Sequence, residues 1–527
     1  MAEVGMAALM QAFRKNRTLW ITLGIMLVLF LLAVQGMSTK DWVITVLRGL
    51  AVGAVIFLAA AGLSLIFGLM DVLNLAHGTL FMLGAYVGWS AYVRPDTLVD
   101  IATPLALFTA GFTLMPVWEL LIGRLRLPRT VARVWPWAGL VVAGLILLYV
   151  LPRYPIGIWN AAVYEQSPVV YALALDQGQL VMPEPVRFTR ISPIVGLGGV
   201  GLGGLLAAVS VVGLSRGRPA AEAGGRRWPH RALTVSAALI LAGLIIFAVN
   251  DALTAWLFDL STTWRFLIAV VVAVATGMVL GGLMESTLIR PLYARPIYQL
   301  MLTLGVGVIG VEGVIAIWGR TQISMAKPAL FNGSGEGCPA NSLGDWLAHQ
   351  CSSVVFLEAR VRVYNEIFVI VVGLAVLIVV WFVIQRSRLG MIIRAGVQDR
   401  AMVEALGINV RRVFTLVFAV GTGLAALGGV LSGPSTGLTE AMGESLLLLA
   451  LIALAIGGLT SFPGAAAGAV LVGLLQQFTI KYGQVGIQLP FLAEPFKPTP
   501  PLVPASTVLL MVVILLLLPQ GLFGRKE

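Results

Sequence analysis

The chain has 527 residues, of which 11% are charged and 59% hydrophobic, with a mean hydropathy of +0.95. A soluble domain carries about 25% charge, so lipid is the solvent for most of this chain. The 35 Lys and Arg against 24 Asp and Glu fall in short clusters between apolar runs, which is the signature of membrane topology and not of a nucleic-acid-binding surface.

Apolar runs of about 17 to 24 residues recur, each long enough to cross a hydrocarbon core of about 30 Å as a helix, and none alternates as a barrel strand would. In chain order the spans are expected near 19–36, 43–66, 75–93, 101–122, 135–151, 192–214, 232–250, 266–284, 299–317 and 366–384. The first follows Arg14, Lys15 and Arg17 and lacks an Ala-x-Ala cleavage site, so it reads as a retained span. With the N-terminus inside, the basic segments 124–133, 216–231, 290–295 and 386–400 all fall on the inner side. The loops 152–191 and 320–365 then lie outside.

Beyond Arg412 spans are expected at 413–432 and 503–519, with an apolar stretch at 446–480 broken by the glycine-rich segment 457–464. Placing Arg525 and Lys526 inside requires that stretch to cross an even number of times, as a hairpin of two short helices or a re-entrant pair. The fold class is therefore all-α polytopic membrane protein with about 12 to 14 transmembrane or re-entrant helices. It is multi-pass, and both termini are cytoplasmic.

Cys338 and Cys351 share the outer loop 320–365. They form a disulfide or stand as two free thiols, and an outer, oxidising location favours the disulfide. No metal site is expected from two cysteines and three histidines. Nowhere does Gly-Lys precede Ser or Thr, so the chain has no P-loop of its own.

Four stretches concentrate polar or flexible residues. Asp71, Asn74 and His77 are spaced by three, on a drifting helical stripe or at the start of a broken helix, with Thr79 just beyond. They either face a cavity or cap the helix at the inner interface. The span 303–318, which begins at Thr303, contains a single acid, Glu312, on a face shared with Val308 and Gly305. Glu312 either meets a substrate amino group or sits in a structural ion pair. Residues 400–406 read as a short amphipathic helix stopped by Gly407, a docking element for a soluble partner or a solvated connector. Gly457 and Gly458 supply irregular backbone at membrane depth, suited to a translocation path or to close helix packing.

Five stretches, 62–86, 285–292, 386–412, 457–473 and 518–525, occur in the order found in the permeases of branched-chain amino acid ABC importers, which this chain resembles. The resemblance implies an inner-membrane (plasma-membrane) permease paired with a second homologous permease. It also implies two cytoplasmic ATPase subunits holding ATP and Mg, and a periplasmic or extracellular solute-binding protein. This chain itself would hold no cofactor and catalyse nothing. A coupling helix is implied at about 398–408, with Asp399, Arg400, Glu404, Ala405 and Gly407 engaging the ATPase. The substrate pathway is expected to involve Asn74, His77, Thr79, Thr303, Glu312, Gly457 and Gly458.

The family commonly has an acid at the position of Thr79 and an amide at that of Glu312, departures that bear on selectivity. By the same resemblance, residues 1–40 form an extension with an extra helix, 41–93 and 263–527 the permease core, and 94–262 an inserted transmembrane region. The alternatives are an ion-coupled secondary transporter or channel, using Asp71 and Glu312, and a membrane enzyme built on His77 and Asp71. The first lacks a visible internal repeat and the second lacks a complete catalytic set.

Overall fold

The computed structural model describes residues 37–124, 128–156, 188, 190–215, 229–398, 400–488 and 494–523. The span expected at 19–36 lies outside the described residues. Among the described residues, ten helices are long and apolar enough to cross a membrane, and Met442–Gly457 and Leu502–Leu517 are shorter apolar helices. The 17-residue helix His77–Val93 is likewise apolar. The chain is an all-α polytopic membrane protein, and it divides into two compact units, Met1–Trp89 with Phe266–Glu527, and Ser90–Arg265.

The first unit is built around the helix Thr39–Met70. Its 32 residues begin at Ser38, whose hydroxyl accepts the N–H of Asp41 at 3.2 Å, and end at Asp71, whose left-handed backbone (φ 52°) returns its N–H to the Phe67 carbonyl. Small residues at 51, 53, 54 and 59–62 let the helices Val410–Thr436 and Phe462–Val485 approach closely and bury most of it. Dispersion at short range holds helices together in lipid, where burial from water offers no gain.

The two ends of this helix meet different structures. At the Val43 end, Ala359 and Val361 of the strand Ala359–Arg362 pack on it, and that strand pairs antiparallel with Ser353–Phe356. The same region contains the short helix Leu343–His349 and the Cys338–Cys351 disulfide, with Cα atoms 5.5 Å apart. At the Met70 end lie Val403, Val410 and Phe414.

Several boundaries differ from expectation. The 446–480 stretch is a hairpin of Met442–Gly457 and Phe462–Val485, but its second arm has 24 residues and is a full-length span, not a short helix. Ser461 restarts the chain by accepting the Gly464 N–H at 3.1 Å, and Pro463 occupies the first turn, where its missing N–H costs nothing. The helix expected at 366–384 begins earlier, in a π-turn Val363–Phe368, and continues to Arg386.

In the second unit, the helices Pro95–Thr113, Arg129–Val150, Pro193–Ser215 and His230–Ala248 pack on one another. The span expected at 101–122 is interrupted at Leu114, because Pro116 has no N–H to continue the ladder, and resumes as Met115–Arg124. Arg94 and Asp96 form a buried bidentate pair, with the shortest contact 2.7 Å. Ser236 donates to the Ala110 carbonyl and Thr103 to that of Gly243, hydroxyl bonds that fix helix register within this unit.

Candidate functional site

The segment linking Thr39–Met70 to His77–Val93 is non-helical, so Asp71, Asn74 and His77 do not share a helical stripe. Asp71 is the exposed left-handed cap, whereas Asn74 and His77 are fully buried. The turn is closed from within: Asn74 Oδ1 accepts the Ala76 N–H at 3.1 Å, and the Asn74 carbonyl accepts the His77 N–H. His77 Nε2 donates to the Ala59 carbonyl at 3.0 Å, which leaves Nδ1 buried without a partner. A side chain at Gly62 would collide with this ring and with the Gly421 carbonyl.

The helix Pro296–Trp318 leans on this turn. Thr303, also fully buried, accepts the Leu75 N–H at 3.2 Å, and Thr79 donates to the Gly307 carbonyl at 3.2 Å. Gly307 and Gly310 are the close-approach positions, both facing Thr79. Glu312 is elsewhere: with Val308 (57% exposed) and Gly305, which has no neighbour within 4 Å, it lies on the open face of the helix. The structure thus brings Asn74, His77, Thr79 and Thr303 together and keeps Glu312 apart from them.

Gly457 and Gly458 serve a turn. A Cβ at Gly457 would overlap the Gly464 carbonyl, and Gly458 has φ 107°, a conformation costly for any other residue. Leu522 and Phe523 donate their N–H groups to the carbonyls of Ile456 and Gly457, tying the last described residues to this turn.

Beyond Arg386 the helices Arg388–Gln398 and Arg400–Ala405 follow. Asp399 lies outside the described residues, and Arg400 opens the short helix. Glu404, Ala405 and Gly407 are exposed, as are Met402 and Leu406. Gly407 (φ 79°) ends the helix: its N–H bonds to the Glu404 carbonyl and the Ile408 N–H to that of Val403. Those two bonds, with Ile408 packed in the Val403 cluster, make a Schellman stop. The helix is mounted by Val403 on Val410 and Phe414, with Met70 and Tyr293 against them.

Tyr293 continues the contact inward. Its hydroxyl donates to Glu285, a fully buried carboxylate that also accepts from Arg290 (2.8 Å) and Thr415 (2.6 Å). Three groups therefore share one carboxylate, which satisfies a charge otherwise very costly away from water.

Sequence reading missed a cavity of about 490 Å3 between the Val43 end of Thr39–Met70, the π-turn at 363–368 and the hairpin 442–485. Arg48 and Glu366 form an ion pair on its wall, Nε to Oε1 at 2.7 Å, with the Glu366 side chain 2% and Arg48 49% exposed. The signal was a lone arginine inside an apolar span, which by itself marks a functional position. Its partner stood 318 residues away, so the pairing was invisible. None of the pathway residues named above lines this cavity.

A bundle of apolar helices, enclosing a partly polar cavity at one end and presenting a short mounted helix at the other, defines a polytopic membrane transport component. The chain belongs to the family described as branched-chain amino acid transport system / permease component, whose model matches residues 45–170 and 230–518. It is a permease subunit of the ABC importer class and not itself a catalyst. It is 26% identical over 291 residues to the high-affinity branched-chain amino acid transport system permease protein LivH of Salmonella typhimurium, covering 55% of this chain and 81% of that protein. LivH of Escherichia coli K12 is 27% identical over the same coverage. The permease protein BraD of Pseudomonas aeruginosa is 33% identical over 165 residues, 31% of this chain and 49% of BraD. No solved structure matches the chain.

Proposed function

We propose that this chain is one of two similar permeases in an ATP-driven importer that moves branched-chain amino acids, or related small polar solutes, across the inner membrane. Two cytoplasmic ATPase subunits bind ATP and Mg and seat on the helix Arg400–Ala405, with Asp399, Arg400, Glu404, Ala405 and Gly407 at the contact. A periplasmic or extracellular solute-binding protein delivers cargo at the opposite end, near the Cys338–Cys351 loop. Both termini are cytoplasmic, and residues 94–262 are an insertion in the permease core.

The observation that supports this division of labour is the mounting of the short helix. Its outward side (Met402, Glu404, Leu406) is exposed, while Val403 packs into the bundle. Movement of a partner would be passed through Phe414 and Tyr293 to the buried Glu285 and to the turn at Asn74, His77, Thr79 and Thr303. Rigid-body rearrangement of the helices around that turn would alternate access. The open face of Pro296–Trp318, with Glu312, is the surface offered to the second permease. Gly457 and Gly458 would let the 442–485 hairpin pivot.

Co-expression with the ATPases, second permease and binding protein of its system, followed by purification through a tag on this chain, tests the reading. A complex whose ATP hydrolysis in lipid rises on adding loaded binding protein is expected. A chain that purifies alone and moves solute down an ion gradient would contradict it.

A further inference from the structure

The Arg48 cavity has a composition that its ion pair alone does not explain. Glu366 is fully engaged: Oε1 takes Arg48 Nε at 2.7 Å and Oε2 takes the Arg362 N–H at 2.7 Å. It anchors the arginine by one edge of the guanidinium, and the opposite edge, with its two terminal NH2 groups, remains to bind a planar anion in bidentate fashion. Asn365, beside Glu366 on the cavity wall, has a buried Oδ1 with no partner. A buried polar atom left unsatisfied is uncommon and costs about 1–3 kcal/mol, which a bound donor would remove.

The hydroxyls of Ser432 and Ser445 also line the cavity, and each donates to a carbonyl of its own helix, at 2.8 and 3.0 Å. Their oxygens therefore act toward the cavity as acceptors. The remaining wall is apolar, with Val52, Ile56, Phe81 and Leu449 among it. The volume, about 490 Å3, lies in the range of about 300–1,000 Å3 usual for small-molecule sites.

We propose that this cavity is the transit site for the solute inside the permease, and that it recognises an α-amino acid as its zwitterion. The carboxylate binds the free edge of Arg48. The ammonium, which only donates, meets Asn365 Oδ1 and the hydroxyl oxygens. The branched side chain lies against Val52, Ile56 and Phe81. This inference rests on the amino-acid importer reading above and adds the location and the groups recognised.

The two native cysteines of this chain are joined in the disulfide, so Ser435→Cys, at the cavity wall, supplies its single reactive thiol, followed on this chain within the full transporter. Its rate of modification by a methanethiosulfonate reagent is measured with leucine, with leucinamide, which lacks the carboxylate, and with isocaproate, which lacks the ammonium. Leucine uptake is measured on the same preparation.

Leucine alone should slow modification. Adding Arg48→Lys, which preserves the charge beside Glu366 but removes the planar fork, should raise the half-protecting leucine concentration by about tenfold to a hundredfold, the loss of one charge-assisted hydrogen bond. Should Ser435→Cys not assemble, Thr436→Cys, also at the cavity wall, serves as the probe. Active leucine uptake with equal modification rates in all conditions would overturn the site and leave the importer reading standing. Absence of leucine uptake together with absence of protection would overturn both. Equal protection by isocaproate would overturn zwitterion recognition.

Discussion

Val403 on the short helix Arg400–Ala405 and Phe414 on the long helix Val410–Thr436 share one apolar cluster, and through it that short, largely exposed helix is fixed to the bundle. The hydrogen bonds of the Gly407 stop set the direction in which the chain returns, so that Ile408 closes over Val403. A rigid connection of this kind transmits displacement, whereas a solvated loop absorbs it.

Phe414→Ala is expected to separate ATP hydrolysis from transport. The assembled complex should retain hydrolysis, while solute uptake per ATP falls roughly 5- to 150-fold, the range of a coupling free energy of about 1–3 kcal/mol. Gly407→Asp acts one step earlier, since an L-residue at φ 79° strains the stop. It should weaken ATPase co-purification. Measuring uptake and hydrolysis on the same proteoliposomes separates the two effects.

The Glu285 cluster predicts an asymmetry between its members. Arg290→Ala leaves a buried carboxylate without its cation and should destabilise the protein by about 3 kcal/mol, near the lower end for breaking a buried pair because Arg290 is 32% exposed. Glu285→Gln removes the buried charge while keeping one acceptor oxygen, for Tyr293 or for Thr415, and should cost less. Thermal unfolding of the purified complex in one detergent ranks the two, and an equal loss would show that the charge is not what holds the cluster together.

Thr303→Val keeps the shape of the side chain but removes the acceptor for the buried Leu75 N–H. The orphaned donor should cost about 1–3 kcal/mol. Because the bond joins Pro296–Trp318 to the turn at Asn74, the midpoint of unfolding should fall together with transport, and Thr303→Ser should restore both.

The disulfide closes a loop with a sequence separation of 13 residues, for which chain-entropy arguments give about 3 kcal/mol. Replacing both Cys338 and Cys351 by Ser should lower the unfolding free energy by that amount, read as a fall in the midpoint of unfolding. In intact cells, a membrane-impermeant thiol reagent should label them only after reduction. Labelling of intact cells without reductant would contradict the disulfide, and labelling only after lysis would place the loop on the other side.

The sequence made the helices legible because apolar length is a local property, and the same holds for the Gly407 stop, which needs only neighbouring residues. Helix breaks were less legible: the chain at Asp71 leaves the helix through a left-handed residue that no apolar count detects, so the spacing of Asp71, Asn74 and His77 left a helical stripe and the start of a broken helix both open. Thr79 and Thr303 were visible as polar residues in spans, but their contacts join segments 228 residues apart. Glu312 stood out as a lone acid in a span whereas Arg48, a lone base in another, was passed over, and one is on an open face and the other on a cavity wall. Only the packing distinguishes them.

The most direct test of the account is ATP-dependent uptake of labelled leucine into proteoliposomes containing this chain with its second permease and ATPases, driven by loaded binding protein. The account predicts uptake that requires ATP inside the cytoplasmic face and vanishes when the helix at 400–407 is deleted. Uptake that proceeds unchanged without ATP, or with that helix removed, would contradict it.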